Sequence, residues 1–190
     1  MKKENIVFIV IALIVGMLGG YLIFSISGNK SAPPATGGVP VGAGTPADYK
    51  QRIMTAEKIV AADPKNHQAW VQLGNDYFDT GQAQKAINAY GKALELKPQD
   101  PNVLTDQGVM YRQEKQFDRA IANFEKAQQI EPKHLQSIFN LGLIYGQDLK
   151  QTDKALKALN RFLELDSTSP TAQQVKGMIE QLKSSPKGFK

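Results

Sequence analysis

The chain has 190 residues, 42% of them hydrophobic, no cysteine, and a formal net charge of +5. That length allows one domain of ordinary size plus appendages, and the lack of cysteine excludes a lipid-modified cysteine anchor. The basic excess excludes less than it suggests. Residues 48–166 hold 16 Lys plus Arg against 16 Asp plus Glu, and the surplus sits at Lys2, Lys3, Lys176, Lys183, Lys187 and Lys190, so no basic stripe for nucleic acid marks the folded part.

Residues 1–5 precede an uncharged run of 21 residues, Ile6 to Ile26. At about 1.5 Å per residue it reaches roughly 30 Å, the thickness of a bilayer's hydrocarbon core, and is expected to be a transmembrane helix. The run exceeds the apolar core of a cleaved signal peptide, and Pro33 directly follows the best small-residue cleavage candidate, Ala32. Lys2 and Lys3 before the span set residues 1–5 in the cytoplasm and everything after it outside. That orientation implies a single-pass membrane protein with an exported C-terminal domain. Ala12, Gly16 and Gly20 share one face of the span and permit its self-association into a homo-oligomer.

Residues 27–47 carry four prolines and five glycines with almost no large apolar side chain. They read as a flexible linker with a reach of roughly 25 Å. Asn29-Lys30-Ser31 matches a glycosylation triplet, a pattern that arises often by chance.

From Asp48 onward the sequence repeats. Trp70, Leu104 and Ile138 are spaced by 34 residues, as are Gly74, Gly108 and Gly142, and Tyr77, Tyr111 and Tyr145. Ala86 and Ala120, Tyr90 and Phe124, Ala93 and Ala127, and Pro98 and Pro132 keep the same interval. Trp70, Leu73, Gly74 and Tyr77 fall on one helical face, and Ala86, Ile87, Tyr90, Ala93 and Leu94 on a second. Thr80-Gly81 marks the turn between them, and Asp100-Pro101 opens the next first helix as N-cap and first-position proline. Each unit is thus a helical hairpin whose apolar face needs a neighbour.

Trp-x2-Leu-Gly-x2-Tyr, then Ala-x3-Tyr-x2-Ala, then Pro, resembles the tetratricopeptide repeat family. The resemblance implies an all-α solenoid over 48–184: a leading helix 48–62, repeats 67–100, 101–134 and 135–168, and a capping helix 170–184, before a frayed tail 185–190. Leu141 and Ala155 join the packing positions of the third unit. Its second helix is delayed by one residue, since Ala155 lies 35 after Ala120. The loop around Gln147–Thr152 is therefore expected to be irregular. Ala86 and Ala120 are expected to face Gly74 and Gly108.

No constellation for catalysis emerges. His67 and His134 lie at unit boundaries and read as exposed residues near helix starts; no metal site, cofactor or nucleophile motif is expected, and the chain reads as a non-enzyme. The family resemblance implies a concave groove, lined by first helices, for an extended peptide or partner helix. Its candidates here are Val71, Asn75 and Phe78, then Thr105, Val109 and Arg112, then Phe139, Leu143 and Gln147. Family members that clamp a chaperone's C-terminal carboxylate use basic residues and asparagines. The places concerned hold Val71, Asn75, Asp106, Gln136 and Asn140 here, which argues against such a clamp. The arrangement resembles single-span tetratricopeptide proteins of bacterial envelopes that act in c-type cytochrome maturation or at the secretion translocon, a resemblance that implies a bacterial inner membrane with the C-terminal domain on the periplasmic side. The expected function is a membrane-anchored adaptor for another protein; the alternative is a self-associating scaffold whose groove is filled.

Overall fold

The computed structural model describes residues 45–184. Regular structure there is entirely helical: α1 Pro46–Ala62, α2 His67–Asp79, α3 Ala83–Leu96, α4 Pro101–Gln113, α5 Phe117–Ile130, α6 Leu135–Leu143, a π-helical turn Ile144–Asp148, α7 Thr152–Leu165 and α8 Pro170–Ser184. The Ile6–Ile26 run with Ala12, Gly16 and Gly20, most of the linker, and the tail lie outside the described residues. Among the described residues no helix is long and apolar enough to cross a membrane.

The leading helix starts at Pro46, inside the stretch expected to be linker. Thr45 and Asp48 form a reciprocal capping box: the Thr45 amide donates to Asp48 Oδ2 at 2.7 Å, and the Asp48 amide donates to Thr45 Oγ1 at 3.3 Å. Pro46 costs nothing at the first position, where its missing N–H has no intrahelical partner. Later first helices are capped at a fixed register by Asn66, Asp100, His134 and Ser169, each accepting from a backbone amide of the first turn.

Consecutive helices pack as hairpins, α2 with α3, α4 with α5, α6 with α7, and α8 closes against α7. The turn inside each hairpin has one left-handed residue, Gly81 (φ 70°), Lys115 (φ 58°) and Lys150 (φ 55°). Only the first is a glycine, so both lysines carry a Cβ where the left-handed region penalises it.

The repeat glycines do not face the alanines. A Cβ built on Gly74 would lie 2.5 Å from the ring of Tyr90, and one on Gly108 would lie 2.5 Å from Phe124; at Gly142 it would run into Leu159. The expected Gly–Ala crossing is therefore one turn out: the large residue of the second helix sits over the glycine. Ala86, Ala120 and Ala155 are nonetheless fully buried. The extra residue of the third unit is absorbed where α6 ends, in the π turn, with the Leu149 amide donating to Ile144 O at 3.0 Å. The core forms one cluster through the first two hairpins and another through α6, α7 and α8.

Candidate functional site

The repeat-packing residues Leu73, Gly74, Tyr77, Tyr90, Ala93, Leu104, Gly108, Tyr111, Phe124, Ala127, Ile138, Leu141 and Gly142 are buried. Trp70 and Tyr145 are half-buried. The Trp70 indole donates to Pro64 O at 2.9 Å, and the Tyr77 hydroxyl donates to Glu57, both reaching back to the preceding unit. Burial, then Glu57, push the Tyr77 hydroxyl up to about 12. A cation lies over each repeat tyrosine at the same register: Lys85 over Tyr77, Arg119 over Tyr111 and Lys154 over Tyr145. The opening aromatic cluster of the first repeat is thus structural packing.

The groove candidates divide. Val71, Phe78 and Val109 are half-buried against the first core cluster, and Phe139 and Leu143 against the second. Phe139 also meets Phe162 with ring centroids 5.9 Å apart, so part of its face is covered from α7. Asn75 accepts from the Tyr90 hydroxyl at 2.9 Å, which leaves its amide N–H groups to the outside. Arg112 and Gln147 come together: the guanidinium donates to Gln147 Oε1 at 2.9 Å and pairs with Asp148, tying α4 to the π turn. Thr105 does not line a groove. It is fully buried, donating to Pro101 O at 2.7 Å, because its position lies under the start of the next first helix.

His134 also departs from expectation. It is buried rather than exposed, and it is the N-cap of α6. Its Nδ1 accepts from the Ser137 amide at 3.3 Å, so the ring proton belongs on Nε2, which donates to Asn102 Oδ1 at 3.1 Å. Burial holds this imidazole below the ordinary histidine range. The signal was in the sequence: His134 follows Asn66 and Asp100 at 34-residue steps, in the capping position. His67 is half-buried; burial, then Lys97, lower its pKa.

Two polar groups escaped the sequence reading, and for a third, Asp106, it missed the burial. Asp76 is fully buried on α2, paired with Arg52 of α1 and accepting from Gln72 at 3.2 Å, while its Oδ2 is buried without a donor. Burial raises its carboxyl despite Arg52. Gln107 donates to Ile87 O at 3.0 Å and accepts from Asn123 at 2.8 Å, closing a polar bridge between units. Asp106, at one of the clamp places, is half-buried and pushed up to about 7, first by burial and then by Asp100 and Asp79. Among the described residues no group of three or more metal-ligating acids, histidines or cysteines converges.

A family model described as TPR repeat matches residues 74–109, and one described as Tetratricopeptide repeat matches 101–134 and again 135–169. The chain belongs to the tetratricopeptide repeat family, whose folds are typically protein-interaction scaffolds. Solved structures agree on the fold. The crystal structure of MamA is 23% identical over 73% of this chain and 80% of that one, with a TM-score of 0.66. A tetratricopeptide repeat protein from Parabacteroides merdae is 19% identical over 73% of this chain and 55% of that one, with a TM-score of 0.64. The first TPR of Spaghetti (RPAP3), bound to the HSP90 peptide SRMEEVD, is 24% identical over 65% of this chain and 97% of that one, with a TM-score of 0.58. No curated protein sequence matches the chain.

Proposed function

We propose that this chain is a membrane-anchored adaptor whose first helices present a groove to an extended segment or helix of another protein, in envelope protein assembly such as c-type cytochrome maturation or secretion. The observation that carries the reading is the row of half-buried apolar side chains Val71, Val109 and Leu143 on α2, α4 and α6, next to the free amide of Asn75. Such a mixture suits a segment with apolar anchors and a few hydrogen-bonding groups. The peptide held by the Spaghetti (RPAP3) domain supports the general mode and not the ligand. This groove offers Asp106 where a carboxylate clamp needs a donor, so an acidic C-terminal peptide is disfavoured.

The second reading is a self-associating scaffold with a filled groove, favoured by the Phe139–Phe162 ring contact. Replacing Val109 and Leu143 with serine separates the two. An open groove predicts loss of partner capture from native membranes with a melting temperature within a few degrees of wild type. A packed strip predicts a stability loss of several kcal/mol, as for other truncations of buried side chains. A stable double variant that captures every wild-type partner sinks the groove.

A further inference from the structure

Gln72 of α2, Asp106 of α4 and Asn140 of α6 stand 34 residues apart and share one register on the first helices. The outer two are amides, and each turns its N–H onto its own helix. Gln72 donates to Asp76 Oδ1 at 3.2 Å, and Asn140 donates to Gln136 O at 2.9 Å. A carboxylate at the same place has nothing to donate. Among the described residues no donor reaches Asp106 and no cation pairs with it. It is nonetheless half-buried, three residues before Val109 and on the same side of α4.

The charge around it is one-sided. α2, α4 and α6 carry Asp76, Asp79 and Asp106 against one cation, Arg112. Arg112 is committed to Asp148, and Asp76 already has Arg52. Asp100 caps α4, its carboxylate held by the Asn102 and Val103 amides, and Asp79 is exposed. Asp106 is left as a half-buried acid that no described residue neutralises. Burial, then Asp100 and Asp79, raise its carboxyl to about 7. An acid held at such a cost, where both neighbouring units use an amide, fits a ligand contact better than a structural one.

We infer that the groove takes a segment carrying a lysine or arginine, whose cation sits on Asp106 while neighbouring apolar side chains lie on Val109 and Leu143. The inference rests on the first-helix groove being a binding surface and names the chemistry of what that surface holds. Charge complementarity selects the cation. A neutral or acidic segment would cover Asp106 without pairing it, a penalty that a basic side chain removes. The outward N–H groups of Asn75 remain for a backbone carbonyl of the same segment. An Asp106 that only holds water would show no preference among segments.

The test compares full-length wild type, Asp106→Asn, and the double variant Val109→Ser with Leu143→Ser. All three are immobilised in the same nonionic detergent and panned against one displayed library of random peptides, so that binding to the micelle is common to them. Wild type is expected to enrich one basic position among apolar ones. Asp106→Asn is expected to keep the apolar positions and lose the basic one. The enriched peptide, made with blocked termini and no histidine, is expected to bind wild type roughly tenfold more tightly than the Asn variant at pH 8, the factor that one charge-assisted hydrogen bond supplies. Wild-type binding is expected to weaken by up to roughly tenfold from pH 8 to pH 6, as a proton takes the place of the cation, while the Asn variant stays flat. The groups facing Asp106 are Asp100, Asp79 and Tyr90 of α3; α6 contains no acid or base, and those of α5 are exposed. His134 reaches α4 at Asn102 and Thr105 instead.

Apolar enrichment without a basic position, a basic position that survives Asp106→Asn, or a pH dependence shared by both chains overturns this inference and leaves the groove in place. Enrichment equal in wild type and the double serine variant, or absent from both, overturns the groove and the inference together. A double variant that fails to fold is the packed-strip outcome and does the same.

Discussion

At the scale of single residues, the glycines separate two roles that look alike in sequence. Gly108 has the Phe124 ring within 2.5 Å of where a Cβ would stand, and that ring is fully buried. Gly108→Ala must displace it and is expected to cost roughly 1–3 kcal/mol, as overpacked cores do. Gly177 meets nothing, so Gly177→Ala is expected to raise stability by up to ~1 kcal/mol through helix propensity alone. Chemical denaturation of the two variants checks both signs. Asp106 is the matching case among charged residues. Its carboxyl sits at about 7, above the ordinary 3.8, so the native state binds the proton more tightly than the unfolded chain does. Its stabilising contribution is complete below the unfolded value and is lost as pH rises through about 7. At pH 8 Asp106→Asn is expected to melt higher than wild type. The gap should narrow as pH falls through 7 and vanish below about 4. Melting curves across that range decide it, and a gap that stays constant with pH would show that the carboxylate is not the cause.

At the scale of elements, the helices were legible because every signal agreed: a 34-residue period, apolar faces at helical spacing, and capping residues at each start. The turn at Thr80-Gly81 was legible from its glycine, but its counterparts at Lys115 and Lys150 carry no such mark. The π turn was foreshadowed only as a delay of one residue, since spacing shows that a residue has been added and not how the backbone absorbs it. His134 was misread because its burial comes from Asn102 and Thr105 one unit earlier, a tertiary fact. The same holds for Thr105, buried under the start of the next first helix, and part of the face of Phe139 is likewise covered from α7 by Phe162. The cap makes its own prediction. An imidazole whose native pKa lies below its unfolded value stabilises fully above the unfolded value, near 6.5, and loses that contribution as pH falls toward the native one. Protonation at Nδ1 also removes the acceptor for the Ser137 amide. His134→Asn keeps an N-cap acceptor that does not titrate. Wild type is therefore expected to lose stability between pH 6.5 and 5 relative to this variant, whatever their difference at pH 8; parallel denaturation curves at the two pH values measure it.

At the scale of the whole molecule, the adaptor reading depends on where the solenoid is displayed, and that depends on the Ile6–Ile26 run. Its uncharged length fits a bilayer, and Lys2, Lys3 and the amino terminus precede it while Lys30 alone follows closely. Basic residues flanking a short span are retained on the cytoplasmic side, so the solenoid is expected outside. Ser31 lies just beyond the run, and the chain has no cysteine, so Ser31→Cys creates a single thiol. A membrane-impermeant maleimide should label it in intact cells to the same extent as after lysis. Labelling only after lysis would place the solenoid in the cytoplasm and remove envelope assembly from consideration. A purified chain whose first residue lies near Ala32 would instead show a cleaved leader, leaving a released solenoid in place of an anchored one. Retention in the membrane fraction after high-salt washing, with full labelling in intact cells, is the outcome the anchored adaptor requires, because a peripheral solenoid held by surface charge would be released by screening.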